Sequence, residues 1–160
     1  MTQTLYLAPI QGITDKIFRN TFPKYFQGFD LAIAPFISTF KNKKLKVTIA
    51  REFGPLHDTG IKTIPQIMGN DPEDFLAVAN DLHEIGYDLI NWNLGCPYPM
   101  VTRKGRGAGM LIFPEKIDLF LDKVFSRVKC GISIKLRLGM NSPDEILRII
   151  PIFNRYPLRE

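Results

Sequence analysis

An α/β fold built on a parallel sheet is what this sequence predicts, and three observations predict it. Short apolar runs alternate with longer amphipathic stretches along the whole chain. The alternation repeats five times, at the roughly thirty residues that one strand–helix unit needs. Polar side chains recur where the predicted strands end, at Gln11, Gln66, Asn91, Asn93, Lys135 and Arg137.

The elements follow in order. Leu5-Tyr6-Leu7-Ala8 reads as a first strand, with a helix near residues 15–22. Leu31-Ala32-Ile33-Ala34 is the second strand, followed by a helical segment around residues 43–51. Residues 62–67 form the third. Asp71 caps the next helix and Pro72 occupies its first position. Phe75, Leu76, Ala79 and Leu82 supply its apolar stripe, and Gly86 ends it. Residues 88–93 are the fourth strand. A Gly-rich loop separates it from a helix over 114–127, with Ile117, Phe120, Leu121 and Val124 on one face. Residues 132–138 are the fifth strand, and a last helix begins near Ser142-Pro143-Asp144-Glu145.

Repeated βα units end either in a doubly wound sheet or in a (β/α)₈ TIM barrel. The first strand is not followed by the glycine fingerprint of a dinucleotide-binding turn. Gly105-Arg106-Gly107-Ala108-Gly109 has the wrong spacing for that and for a P-loop. Polar residues at the ends of different strands converge on one mouth in a barrel, where active sites sit, so the barrel is the expected fold. A complete barrel takes about 250 residues. The 160 residues here provide five units, and the sequence-based expectation is a truncated barrel with three units missing.

Composition excludes several classes. The hydrophobic fraction of 45% and charged fraction of 23% suit a globular domain. No apolar run approaches the roughly 18 residues of a membrane span. The first residues lack a secretory pattern, so a cytoplasmic location with no membrane partner is expected. Two cysteines, Cys96 and Cys130, make no disulfide framework, and no Cys/His spacing suggests a metal site. The charge of +5 and the pI near 9.3 suit a polyanionic partner such as RNA. Lys41, Lys43, Lys44, Lys46 and Arg51 form one basic cluster, read as a solvated helix face or as a phosphate contact.

Asn93-Leu94-Gly95-Cys96-Pro97 lies just beyond the fourth strand. Gly95 and Pro97 fix a tight turn around the thiol. Cys96 is therefore either a small buried hydrophobe or a group presented at the mouth. Cys130, at a helix-to-strand junction on the other side of the sheet, reads as structural.

Four segments carry a resemblance. Ala8-Pro9-Ile10-Gln11-Gly12-Ile13-Thr14-Asp15, Pro65-Gln66-Ile67-Met68-Gly69, Asn93–Pro97 with its glycine-rich continuation, and Ile134-Lys135-Leu136-Arg137-Leu138-Gly139 resemble, in order and spacing, the motifs of the tRNA-dihydrouridine synthases. The resemblance implies the N-terminal part of an FMN-binding catalytic barrel, without its last units and its helical tRNA-binding domain. It implies reduction of the C5=C6 bond of a uracil in tRNA, using FMN and NADPH or NADH. Cys96 would donate the proton to C5. Pro9, Ile10, Gln11, Gln66 and Lys135 would contact FMN; Asn93 and Arg137 would meet the substrate. A mostly protonated thiol can serve as such an acid, and a lysine beside the flavin favours its anionic reduced form. Lys135 is expected to point into the barrel, away from the direction of Ile134 and Leu136. Tyr98-Pro99-Met100 departs from the lysine-bearing loop of many relatives, with basic residues returning at Arg103, Lys104 and Arg106.

Two rivals remain at this stage. One is another FMN barrel oxidoreductase acting on a small molecule, such as a dihydroorotate or enoate reductase. The other is a catalytically inactive fragment that binds FMN weakly or not at all and self-associates through an open sheet edge.

Overall fold

The computed structural model describes residues 3–39, 44–54 and 60–160, with the side chains of residues 44–46 excepted. Lys41, Lys43 and the side chains of Lys44 and Lys46 lie outside this description. Of that basic cluster only Arg51 can be placed: it is exposed and pairs with Glu52 at 3.2 Å.

Every strand pairing is parallel and the order is that of the chain. The elements are β1 (Tyr6–Leu7), α1 (Lys16–Thr21), β2 (Leu31–Ile33), β3 (Ile37–Ser38), α2 (Lys44–Phe53), β4 (Thr63–Ile64), β5 (Gln66–Met68), α3 (Pro72–Glu84), β6 (Leu89–Leu94), α4 (Pro99–Thr102), α5 (Pro114–Phe125), β7 (Gly131–Leu136) and α6 (Ile146–Phe153). Five extended segments alternate with helices, the order of the first five units of a TIM barrel.

The second and third segments are each interrupted, which the sequence-based reading does not separate. Pro65 splits the third because it has no N–H for the ladder. Its carbonyl still accepts from the Asn91 N–H at 2.8 Å. The sheet therefore divides into β1-β2-β4 and β3-β5-β6-β7. The fifth strand ends at Leu136 rather than 138. Arg137 turns away there, and its Nε donates to the Gly95 carbonyl at 3.0 Å.

Helix starts obey local chemistry. The Asp15 carboxylate accepts the Phe18 N–H, and Asp71 accepts the Asp74 N–H, each at 2.9 Å. Gly86, with φ of 101°, turns the chain out of α3 at a cost only glycine avoids. Ser142 and Glu145 form a reciprocal capping box ahead of α6.

The core lies between the helices and the outer face of the sheet. Ile90, Trp92 and Leu94 of β6 point outward with Ile132, against Phe75, Leu82, Ile117, Phe120, Leu121 and Val124. Trp92 stacks on Phe120 with centroids 4.1 Å apart, and its Nε1–H donates to the Gly69 carbonyl at 3.0 Å. The alternate residues, Asn91 and Asn93 on β6 and Ser133 and Lys135 on β7, take the inner face.

The edge of β7 is not bare. Ile132 O accepts from the Arg159 N–H at 2.8 Å, and the Ile134 N–H donates to Glu160 O at 2.9 Å. The Tyr6 hydroxyl on β1 donates to the Glu160 carboxylate. Burial, and then that carboxylate, push the phenol up to about 12. Among the described residues, no helix is long and apolar enough to cross a membrane.

Candidate active site

Three adjacent strands bring most of the sequence-selected residues together. In the ladder Gln66 sits opposite Asn91, Asn91 opposite Ser133, and Asn93 opposite Lys135. Gln66, Asn91 and Ser133 thus form one layer of the inner face. Asn93 and Lys135 lie in the next layer toward the strands' C-terminal ends.

The side chains of this face form a continuous hydrogen-bonded chain. Asn93 Nδ2 donates to Gln66 Oε1 at 2.8 Å. Gln66 Nε2 donates to Asn91 Oδ1 at 2.7 Å, and Asn91 Nδ2 donates to Ser133 Oγ at 2.9 Å. Relative exposures are 0% for Gln66, 2% for Asn91, 2% for Ser133 and 8% for Asn93. Buried amides carry a large desolvation cost unless paired, so this chain defines a single arrangement of the layer.

The other end of the chain reaches the cysteine loop. Asn93 Oδ1 accepts the N–H groups of Gly95 and Cys96, both at 3.0 Å. Asn93 thereby shapes the turn that presents Cys96, in the manner of an Asx turn. Gly107, with φ of 52°, packs beneath: a Cβ there would lie 2.7 Å from the Cys96 carbonyl oxygen. That oxygen accepts the Ala108 N–H at 3.0 Å. Arg137 grips the same loop through the Gly95 carbonyl. Cys96 is half-buried, whereas Cys130 is buried and its thiol is pushed up to about 11 by desolvation.

The first-strand residues are set separately. Ile10 N–H donates to Thr14 Oγ1 at 2.9 Å, and the buried Arg19 donates to the Thr14 carbonyl at 2.8 Å. Arg19 also reaches Glu52 at the end of α2. This fixes Pro9, Ile10 and Gln11 at the end of β1, with Ile10 and Gln11 exposed. Gln11 lines a cavity of about 400 Å³ with Lys16, Phe36 and Arg51.

Two sequence-based expectations need adjustment. The resemblance gives Gln66 a direct flavin contact, but Gln66 has no exposed surface here; Asn93 and Asn91 occupy its amide. Any such contact requires a rearrangement that uncovers it. Lys135 lies on the inner side, as alternation requires, but is exposed there rather than enclosed within the barrel. Asn91, read from the sequence as a strand-end polar residue without a role, and Ser133, which the sequence reading does not name, join the site. The signal is present: they stand two positions before Asn93 and Lys135, hence on the same strand face.

The donor set suits a flavin in part. Lys135 offers an accessible ammonium at the mouth end, and Pro9–Gln11 offer accessible groups at the end of β1. Among the described residues, no three of His, Cys, Asp and Glu are grouped to hold a metal ion.

A family model described as dihydrouridine synthase matches residues 6–155. The tRNA-dihydrouridine synthase B of Pasteurella multocida is 32% identical over 144 residues, covering 88% of this chain and 41% of that protein. The proteins of the same name from Vibrio vulnificus and Escherichia coli K12 are each 30% identical, covering 88% and 84% of this chain. The chain spans about two fifths of the length of these relatives. With the motifs on successive parallel strands and the match across nearly all of its length, this chain belongs to the dihydrouridine synthase family.

Proposed function

We propose that this chain forms the N-terminal part of the FMN-binding barrel of an enzyme that reduces a uracil in tRNA to dihydrouridine, working in the cytoplasm. The observation that carries the reading is the Asn93 side chain. It holds the backbone of Cys96 with one atom and the buried polar layer with the other, so a half-buried thiol stands at the strand ends in a fixed turn. FMN, reduced by NADPH or NADH, would supply the hydride for C6 of the uracil. Cys96 then donates its proton to C5, where negative charge develops. Lys135 places a cation on the inner face and would stabilise negative charge on the cofactor. Pro9, Ile10 and Gln11 would line the ring. Gln66 acts from beneath by holding Asn93. Asn93, whose Oδ1 holds the loop and whose Nδ2 gives one hydrogen to Gln66, would meet the uracil edge with its second Nδ2 hydrogen. Arg137 keeps the loop in place through Gly95.

The substrate class is tested with the enzyme encoded by the whole reading frame. It is loaded with FMN and NADPH and offered tRNA, free pyrimidines or enones. Turnover of tRNA alone supports the reading. Turnover of a free pyrimidine or an enone, with tRNA untouched, replaces it with a small-molecule oxidoreductase.

A further inference from the structure

The backbone of Cys96 is gripped at both of its polar groups, and each grip leads back to β5. Its N–H donates to Asn93 Oδ1, and Asn93 Nδ2 rests on Gln66. Its carbonyl accepts the Ala108 N–H at 3.0 Å, from the glycine-rich stretch that follows α4. That stretch is fastened at Asn70, two residues beyond the end of β5. We propose that Asn70 is a positioning residue for the acid, a role that rests on the reading of Cys96 above and deepens it.

One amide spans the turn. Asn70 Nδ2 donates to the Lys104 carbonyl at 3.0 Å, and Asn70 Oδ1 accepts from Arg106 Nε at 3.0 Å. Between these two residues stands Gly105, with φ of 63°, and after Arg106 comes Gly107, with φ of 52°. Glycines on both sides of Arg106 give this backbone a freedom that other residues lack. Side-chain contacts from a rigid strand end select one conformation of it.

That selection reaches the thiol. Gly107 lies so close beneath Cys96 that a Cβ on it would stand 2.7 Å from the Cys96 carbonyl oxygen and 3.0 Å from the Cys96 Cβ. A displacement of residues 105–107 therefore passes to Cys96 by contact, and through the Ala108 N–H by hydrogen bond. An acid acts only when its proton stands within reach of the receiving atom. A misplacement of about 1 Å, caused far from the chemistry, is worth about 100-fold in rate. Asn70 itself is half-buried, so truncating it opens no enclosed cavity.

The test is single-turnover reoxidation of prereduced enzyme by saturating tRNA, using the enzyme encoded by the whole reading frame. Asn70→Ala, Asn70→Ser and Asn70→Asp are each made alone, and Asn70→Ala also in a Cys96→Ala background. Asn70→Ala and Asn70→Ser should slow reoxidation by roughly 10- to 100-fold. Both should leave reduction of the flavin by NADPH unchanged, which a general loss of fold would not. Asn70→Asp keeps the acceptor for Arg106 and should stay within about threefold of wild type. In the Cys96→Ala enzyme no acid is left to position, so Asn70→Ala should slow it no further. If Asn70→Ala reoxidises like wild type while Cys96→Ala is slow, Asn70 positions nothing and the reading of Cys96 stands. If Asn70→Asp loses as much as Asn70→Ala, or Asn70→Ala slows the Cys96→Ala enzyme by its full factor, Asn70 acts by another route and the proposal is overturned. If Cys96→Ala itself reoxidises at the wild-type rate, the reading and the proposal fall together.

Discussion

Replacing Asn93 by leucine or by aspartate should separate a hydrogen-bonding role from mere occupancy of space. Leucine has as many heavy atoms as asparagine but is bulkier, so no cavity contributes and overpacking adds to the loss. It strands the fully buried Gln66 Oε1, at about 1–3 kcal/mol for an unsatisfied buried acceptor. It also releases the N–H groups of Gly95 and Cys96, which lie nearer solvent, at about 0.5–1.5 kcal/mol each. The lost hydrogen bonds total roughly 2–6 kcal/mol, a large share of the stability of an ordinary domain. The carboxylate of the Asn93→Asp variant instead keeps the acceptor for both loop N–H groups. It faces Gln66 Oε1, but the polar chain can reverse. Gln66 and Asn91 turn their amides over, and the Ser133 hydroxyl, which in wild type accepts from Asn91, becomes the donor. Asn93→Asp should therefore cost less than half of what Asn93→Leu costs. Ser133→Ala should be more damaging in the aspartate background than in wild type, with a coupling of about 1 kcal/mol or more. Urea unfolding followed by the single tryptophan, Trp92, measures each of these variants against wild type. Equal losses for leucine and aspartate, or additivity with Ser133→Ala, would refute the reversible chain.

The two cysteines should differ in reactivity: at mildly alkaline pH an alkylating probe should label Cys96 in the folded protein and Cys130 only on unfolding, because burial both covers Cys130 and raises its thiol to about 11. Peptide mapping by mass reads this, and equal labelling rates would contradict it. Glu145 accepts the N–H groups of Met140, Asn141 and Ser142, and these bonds hold its carboxyl below the usual range. A depressed folded-state value means the stabilisation is present above the unfolded carboxylate range and is lost as pH falls. Melting temperature should thus drop more steeply below about pH 5 in wild type than in Glu145→Gln; parallel curves would remove this link.

What can be read from the sequence is what neighbours along the chain decide. Asp71, Pro72 and Gly86 bound α3 because capping, ring geometry and a positive φ are local matters. The βα alternation implies parallel order for the same reason. The break at Pro65 is legible too, since a missing N–H is a property of the residue alone, but it is easily lost within an apolar run. The exposure of Gln66 and Lys135 is not legible: it depends on which side chains from other strands cover them. Nor is the clamp of Asn70 on residues 104 and 106, a contact across 34 residues that no periodicity announces. Short α4 forms where the sequence suggests a loop, because Pro99 starts a turn that the Tyr98 carbonyl closes with the Val101 and Thr102 N–H groups.

Whether Cys96 supplies the proton to C5 of the uracil is decided by single-turnover reoxidation of the prereduced enzyme by tRNA, with Cys96→Ala made in the enzyme encoded by the whole reading frame. Reduction of the flavin by NADPH should be unchanged. Reoxidation should slow by roughly 10²–10⁴-fold, the usual worth of a general acid. Cys96→Ser should restore little, because its hydroxyl holds the proton too tightly. Reoxidation of Cys96→Ala at the wild-type rate would mean that the proton comes from elsewhere and that the turn held by Asn93 serves another end.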